Sequence, residues 1–232
     1  MVSRYKIKMI TNYDRIEEFF KEVNDILEQN IDLFVIGGAV LLRQDLKGGT
    51  KDIDLVVNSK AEFMEFQKAL EKLDFKPQIP KKEYDHMNLN QIFQKEDFRI
   101  DLFYKEVCGK FSLTKGMMQR AEITQDLEKI KVLHCSNEDI LLFKTMTERD
   151  GDLDDCVRIA VLGIDWKIII KELQNQIKQS KQDVWITWVG ERLDLLEDRG
   201  LDIPIMDELD KLRNKYFEDL EKRLNQDRLF SS

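Results

Sequence analysis

The chain of 232 residues holds only three cysteines and two histidines. Cys108, Cys135 and Cys156 are odd in number, far apart and in no ligand-like spacing with His86 or His134. That pattern argues against structural zinc and a disulfide framework, and predicts reduced, buried thiols. His86, alone near an expected strand start, reads as a structural residue. Long apolar runs are also missing. Stretches such as Phe34 to Leu42 fall well short of the roughly twenty residues a membrane span needs. Arg4, Lys6 and Lys8 interrupt the start and no apolar core follows them, so no secretion signal and a cytoplasmic location are expected. Excess positive charge is absent as well. A net charge of −8 speaks against extensive, sequence-independent contact with a nucleic-acid backbone. It does not exclude a local basic groove, for which Lys47, Lys51, Lys81, Lys82, Arg99 and Lys105 are among the candidates. No internal repeat or low-complexity tract is visible.

What is present is ample core material: 42% of the residues are hydrophobic, enough for one large domain or two small ones. Ile16, Phe19, Phe20, Val23, Ile26 and Leu27 recur at helical spacing and predict an amphipathic helix over 14–29. Leu33 to Ile36 and Ile53 to Val57 are short β-branched runs that predict buried strands. Ser59 and Glu62 form a capping box ahead of a helix carrying Phe63, Phe66, Leu70 and Leu73. Pro77 and Pro80 break the pattern, and 84–93 then alternates as a strand expected to pair with the one around Asp101. Beyond residue 112 strand signals nearly vanish apart from Ile130 to Leu133. Helices are expected at 137–149, 153–161, 165–179, 182–197 and 204–226, with Trp166, Trp185 and Trp188 in their core. The expected class is α+β: a small mixed-sheet core with flanking helices over 1–111, then an all-α C-terminal part over 112–232.

The chemistry concentrates in two places. In Thr50-Lys51-Asp52-Ile53-Asp54-Leu55-Val56-Val57, residues two apart on a strand share a face, which sets Asp52 and Asp54 side by side about 6.5 Å apart. Two carboxylates on an apolar strand repel unless a cation lies between them, and hard oxygen ligands suit Mg²⁺ or Mn²⁺. Upstream, an apolar strand runs directly into Gly37-Gly38 and a helical start, a geometry that brings backbone amides up to an anion. A third acid is needed if two metals are to clamp a phosphoryl displacement. Phe98-Arg99-Ile100-Asp101-Leu102-Phe103 supplies it in Asp101. Taken alone, Asp101 reads as the outward residue of an edge strand; beside Asp52 and Asp54 it reads as the third ligand.

The string Val35-Ile36-Gly37-Gly38, thirteen intervening residues, Asp52-Ile53-Asp54-Leu55 and a later Ile100-Asp101-Leu102 resembles the signature of the polymerase-beta-type nucleotidyltransferase superfamily over roughly residues 30 to 105. The resemblance implies a nucleotidyltransferase core in which Gly37 and Gly38 hold a nucleoside triphosphate. Asp52 and Asp54 would then bind both metals, and Asp101 would complete the catalytic one. Thr50 and Lys51, flanking the acids, are expected at phosphate oxygens, with ATP as the expected donor. Asn137 to Lys144, followed by Arg149 and the run Gly151-Asp152-Leu153-Asp154-Asp155, is similar to a helical element of the abortive-infection nucleotidyltransferase toxins. That likeness implies a toxin-antitoxin setting. It adds Lys144 to the nucleotide-binding residues and leaves open which of Asp152, Asp154 and Asp155 is the matching acid. On the residues alone, Lys144 equally reads as a lysine that snorkels to solvent or pairs with Glu148. The implied reaction moves a nucleoside monophosphate onto the hydroxyl of a protein, a tRNA or a small molecule. The alternative is a non-catalytic member of the same fold that binds nucleotide or a partner protein, with the C-terminal helices as the partner surface.

Overall fold

A computed structural model describes residues 9–78 and 91–230, so His86, Lys81, Lys82 and the first part of the 84–93 strand lie outside the described residues. The chain divides into two compact units, one running to Phe143 and the other from Lys144 onward.

The first unit is built on a seven-stranded mixed sheet. Its strands are β1 (Ile31–Ile36), β2 (Ile53–Val57), β3 (Lys76–Gln78), β4 (Gln91–Lys95), β5 (Phe98–Tyr104), β6 (Glu122–Asp126) and β7 (Ile130–His134), in spatial order β3-β4-β5-β2-β1-β7-β6. β1 and β2 are antiparallel, while β2 with β5 and β1 with β7 are parallel. The four central strands carry the near-continuous apolar runs expected of strands covered on both faces: Leu33, Val35, Leu55, Val57, Ile100, Leu102 and Val132 are fully buried. Helix α1 (Asp14–Ile26) buries Ile16, Phe19, Phe20 and Val23, as its spacing predicts, though it ends earlier than residue 29. Helix α3 (Lys60–Lys72) carries the expected capping box: Glu62 N–H donates to Ser59 Oγ at 3.1 Å and Ser59 N–H to Glu62 Oε2 at 2.8 Å.

Two features of the sheet depart from expectation. β3 contains Pro77, which was expected only to break the pattern; the strand is an edge, where a missing N–H costs no ladder bond. Beyond residue 112 the expected strand at Ile130 to Leu133 is present as β7, but β6 was not expected. After helix α4 (Lys115–Arg120), β6 and β7 form an antiparallel pair, and β7 docks beside β1. The break in compactness therefore falls after Phe143, later than the expected 111/112 boundary.

Crossing from β7 into the loops, His134 is 3% exposed, with Nε2 2.6 Å from the Tyr13 hydroxyl. Burial, with a smaller contribution from the Arg43 charge, drives its pKa down to about 3. The unfolded chain takes up this proton near the ordinary 6.5, and the folded chain refuses it until about 3. The neutral ring therefore contributes stability that is complete above pH 6.5 and is lost as pH falls toward 3. The melting temperature should accordingly drop across that window, and His134→Gln should flatten the drop; an unchanged profile in the variant would remove His134 as its cause.

In the second unit, α6 (Asp150–Ala160), α7 (Trp166–Ser180), α8 (Trp185–Asp198) and α9 (Met206–Phe230) make an all-helical assembly, entered from α5 (Asn137–Thr145). α5 is shorter than its expected 137–149, because Arg149 adopts extended backbone as the cap of α6. Trp185 is buried, but Trp188 is 42% exposed, so the three tryptophans do not all fill the core. Among the described residues no helix is long and apolar enough to cross a membrane. Cys135 and Cys156 are buried thiols, and burial pushes the Cys156 pKa up to about 12.

Candidate active site

Strand register determines which acids meet. In the antiparallel β1–β2 pair Ile36 lies opposite Asp54, and in the parallel β2–β5 pair Asp54 lies opposite Asp101. Registered partners on neighbouring strands share a face, about 4.8 Å apart. Asp54 and Asp101 are thus immediate cross-strand neighbours, fixed by ladder hydrogen bonds and not by loop geometry. Asp52 sits one residue before β2, half-buried, at the mouth of the same strand.

β1 then delivers Gly37 to the Asp54 carboxylate. Gly37 has φ +68° and ψ −143°, a conformation in which a side chain is strained. A Cβ on Gly37 would overlap Asp54 Oδ2 outright, so the glycine is what lets the backbone press against that carboxylate. Gly38 opens helix α2 (Gly38–Arg43), and a Cβ there would stand 2.6 Å from Thr50 Oγ1 and 3.9 Å from Lys47 Nζ. The diglycine is therefore enclosed by the Asp54 carboxylate on one residue and by a hydroxyl and an ammonium on the next.

Thr50, 3% exposed, holds the approach to the acids. Its backbone exchanges two hydrogen bonds with Ile10, at 2.7 and 2.9 Å, and its hydroxyl donates to the Asp52 carbonyl at 2.9 Å. The hydroxyl fixes the turn into β2. Lys51 is exposed. Arg43 pairs with Glu122 at 3.7 Å.

Asp101, 4% exposed, accepts a two-pronged bond from Arg99: Nε to Oδ1 and Nη2 to Oδ2, both at 2.7 Å. Arg99 lies two residues upstream on β5 and so shares the Asp101 face. The period-two rule that pairs Asp52 with Asp54 places this arginine as well, and it is the site residue to which the sequence reading gave no specific role. Lys47 is the other residue brought to the diglycine without having been singled out for it.

Lys144 lies in the second unit. Its Nζ donates to Asp152 Oδ1 at 2.7 Å and to Asp155 Oδ2 at 2.8 Å. Arg149 Nε and the Thr147 hydroxyl both donate to Asp152 Oδ2, at 2.7 and 2.5 Å. Asp154 turns instead to Arg199. The Lys-Arg-Asp pattern is thus an ion network in which Lys144, Asp152 and Asp155 are buried and Arg149 reaches in from the surface.

Among the described residues no three acid, imidazole or thiol side chains stand together as a ready-made metal-holding group. The donor chemistry is nonetheless right for a hard divalent cation: two registered carboxylates, a third at the strand mouth, and a backbone cradle that only glycine permits. Both oxygens of Asp101 are, in this structure, engaged by the Arg99 guanidinium.

The model of a family described as nucleotidyltransferase of unknown function (DUF6036) matches residues 13–187. The match runs from the cap of α1 into α8 and takes in Gly37, Gly38, Asp52, Asp54, Asp101 and Lys144. A search of curated proteins finds no match.

Proposed function

Since the chain belongs to this family of nucleotidyltransferases, we propose that it transfers a nucleoside monophosphate from a nucleoside triphosphate, ATP first among candidates, to an acceptor hydroxyl. The observation that carries this reading is the registered Asp54–Asp101 pair lying against a glycine whose missing Cβ makes room for the Asp54 carboxylate. Asp52, Asp54 and Asp101 would hold Mg²⁺ or Mn²⁺, which supplies charge neutralisation at the triphosphate and at the attacking oxygen.

Within that reading, each residue has a definite task. Gly37 and Gly38 would meet the β- and γ-phosphates with their backbone, Gly37 beside the Asp54 carboxylate and Gly38 beside the Thr50 hydroxyl. Thr50 fixes the strand mouth from which Asp52 projects, and Lys51 and Lys47 offer ammonium groups to phosphate oxygens at its rim. The acceptor oxygen forms a bond to the α-phosphorus as the bond to the bridging oxygen breaks. Pyrophosphate leaves, and the hydroxyl proton passes to a carboxylate, for which Asp101 is the candidate. The acceptor is a protein, a tRNA or a small molecule, and the C-terminal helices are the candidate surface for a partner protein. Lys144 is not carried into the nucleotide site, since two carboxylates already engage its ammonium.

A second reading has one observation in its favour. The ion pair on Asp101 is the arrangement expected of a non-catalytic relative that binds nucleotide and turns nothing over. The experiment that separates the two is thermal melting with Mg²⁺ or Mn²⁺ and each ribonucleoside triphosphate, followed by a pyrophosphate-release assay with the one that binds. A rise of several degrees requiring metal and nucleotide together is expected, by the linkage of binding to stability, together with pyrophosphate release. A rise without release would favour the binding-only reading, and no rise with any pair would sink both.

A further inference from the structure

A catalytic carboxylate in a metal-dependent transferase has to offer its oxygens to the cation, yet both oxygens of Asp101 are engaged by Arg99. Two-pronged arginine–carboxylate pairs are the strongest class of charge-assisted hydrogen bond, more so where water is excluded. Here the side chains are 11% and 5% exposed. A carboxylate has about four lone-pair sites. The guanidinium takes two of them and sets a positive charge on the face that Asp101 shares with Asp54.

Resting on the reading above, we propose that Arg99 is a positioning residue that holds Asp101 against metal until a nucleoside triphosphate arrives. It acts as a stand-in cation: it neutralises Asp101 beside Asp54, where two like charges on registered positions would otherwise repel. A triphosphate brings both halves of the exchange at once. Its metal competes for Asp101, and its phosphate oxygens give the freed guanidinium a planar, bidentate partner. Metal and nucleotide then bind together far better than metal alone, because the same side chain has to move for either.

The test is Mn²⁺ binding, followed by the electron paramagnetic resonance signal of the free ion, in the wild-type protein, Arg99→Gln and Arg99→Lys. Asp54→Asn serves as the control for the site, and each protein is run with and without a non-hydrolysable triphosphate. Without nucleotide, Arg99→Gln should bind Mn²⁺ at least roughly tenfold more tightly than wild type, the scale on which groups around a metal ligand tune affinity. Arg99→Lys, which keeps the charge but loses the fork, should fall between them. With nucleotide the difference should shrink. Equal or weaker Mn²⁺ binding in Arg99→Gln, with binding still lost in Asp54→Asn, would overturn the role of Arg99 and leave the metal site standing. No Mn²⁺ binding in any protein, with or without nucleotide, would overturn the metal site as well.

Discussion

Asp54→Asn should lower nucleotidyl transfer on the order of 10³-fold while shifting the melting temperature by no more than about 3 °C. The rate figure is a loss of roughly 4 kcal/mol of transition-state stabilisation, the size attached to metal-held charge at a reacting phosphate. The temperature bound corresponds to about 1 kcal/mol in a chain of this length. Asparagine keeps the shape against which Gly37 packs and removes only the charge. Asp54 is half-buried, and its registered neighbour is another carboxylate, so the variant also removes a like-charge contact. Pyrophosphate release and a melting curve on the same preparation check both halves. A variant retaining more than a tenth of the wild-type rate would take Asp54 out of the reaction.

Asp101 is the less clean target, and the reason is structural. A simple electrostatic reading of three crowded carboxylates expects relief on deleting any one of them. Asp101, however, is the two-pronged partner of Arg99, and its removal takes both of those bonds from a guanidinium that is nine-tenths buried. Loss of activity in Asp101→Asn would therefore mix a chemical effect with a folding effect, which Asp54→Asn avoids.

The legible parts of this molecule are those governed by short-range periodicity. The apolar runs at Leu33 to Ile36 and Ile53 to Val57, the stripe of α1 and the Ser59–Glu62 box are all local signals, and each produced the element it announces. The partnership of Asp54 with Asp101 was anticipated as chemistry, but its geometry comes from the parallel pairing of β2 with β5, which no local pattern encodes. Glu122 to Asp126 is half exposed and carries few apolar residues, so it reads as a loop; only its pairing with β7 makes it a strand. The tryptophans show the same limit, since size alone does not say which of Trp185 and Trp188 faces inward.

Lys144→Met should be the most damaging single change to the helical unit, costing roughly 3–5 kcal/mol, the penalty for removing one member of a buried ion pair. Lys144 is 7% exposed, and Asp152 and Asp155 are 5% and 1% exposed. Burial alone would lower the lysine pKa, but the two facing carboxylates outweigh it and raise it, which keeps the charge locked in. On Asp152 burial pushes the pKa up, while Lys144, Arg149 and the hydrogen bonds from Lys144 and Thr147 pull it down to about 2. The stability contributed by that carboxylate is therefore present above its ordinary 3.8 and lost as pH falls toward 2. Methionine fills the lysine volume but leaves two carboxylates buried together, a cost the unfolded chain does not bear. A lower urea midpoint at unchanged slope is the expected reading. Converting Asp152 and Asp155 to leucine in the same background should recover much of the loss, because a buried ionic cluster and an apolar one of similar volume differ little in free energy. If Lys144→Met instead left the midpoint unchanged and weakened triphosphate binding, the lysine would belong to the nucleotide site after all, and the network around it would be incidental.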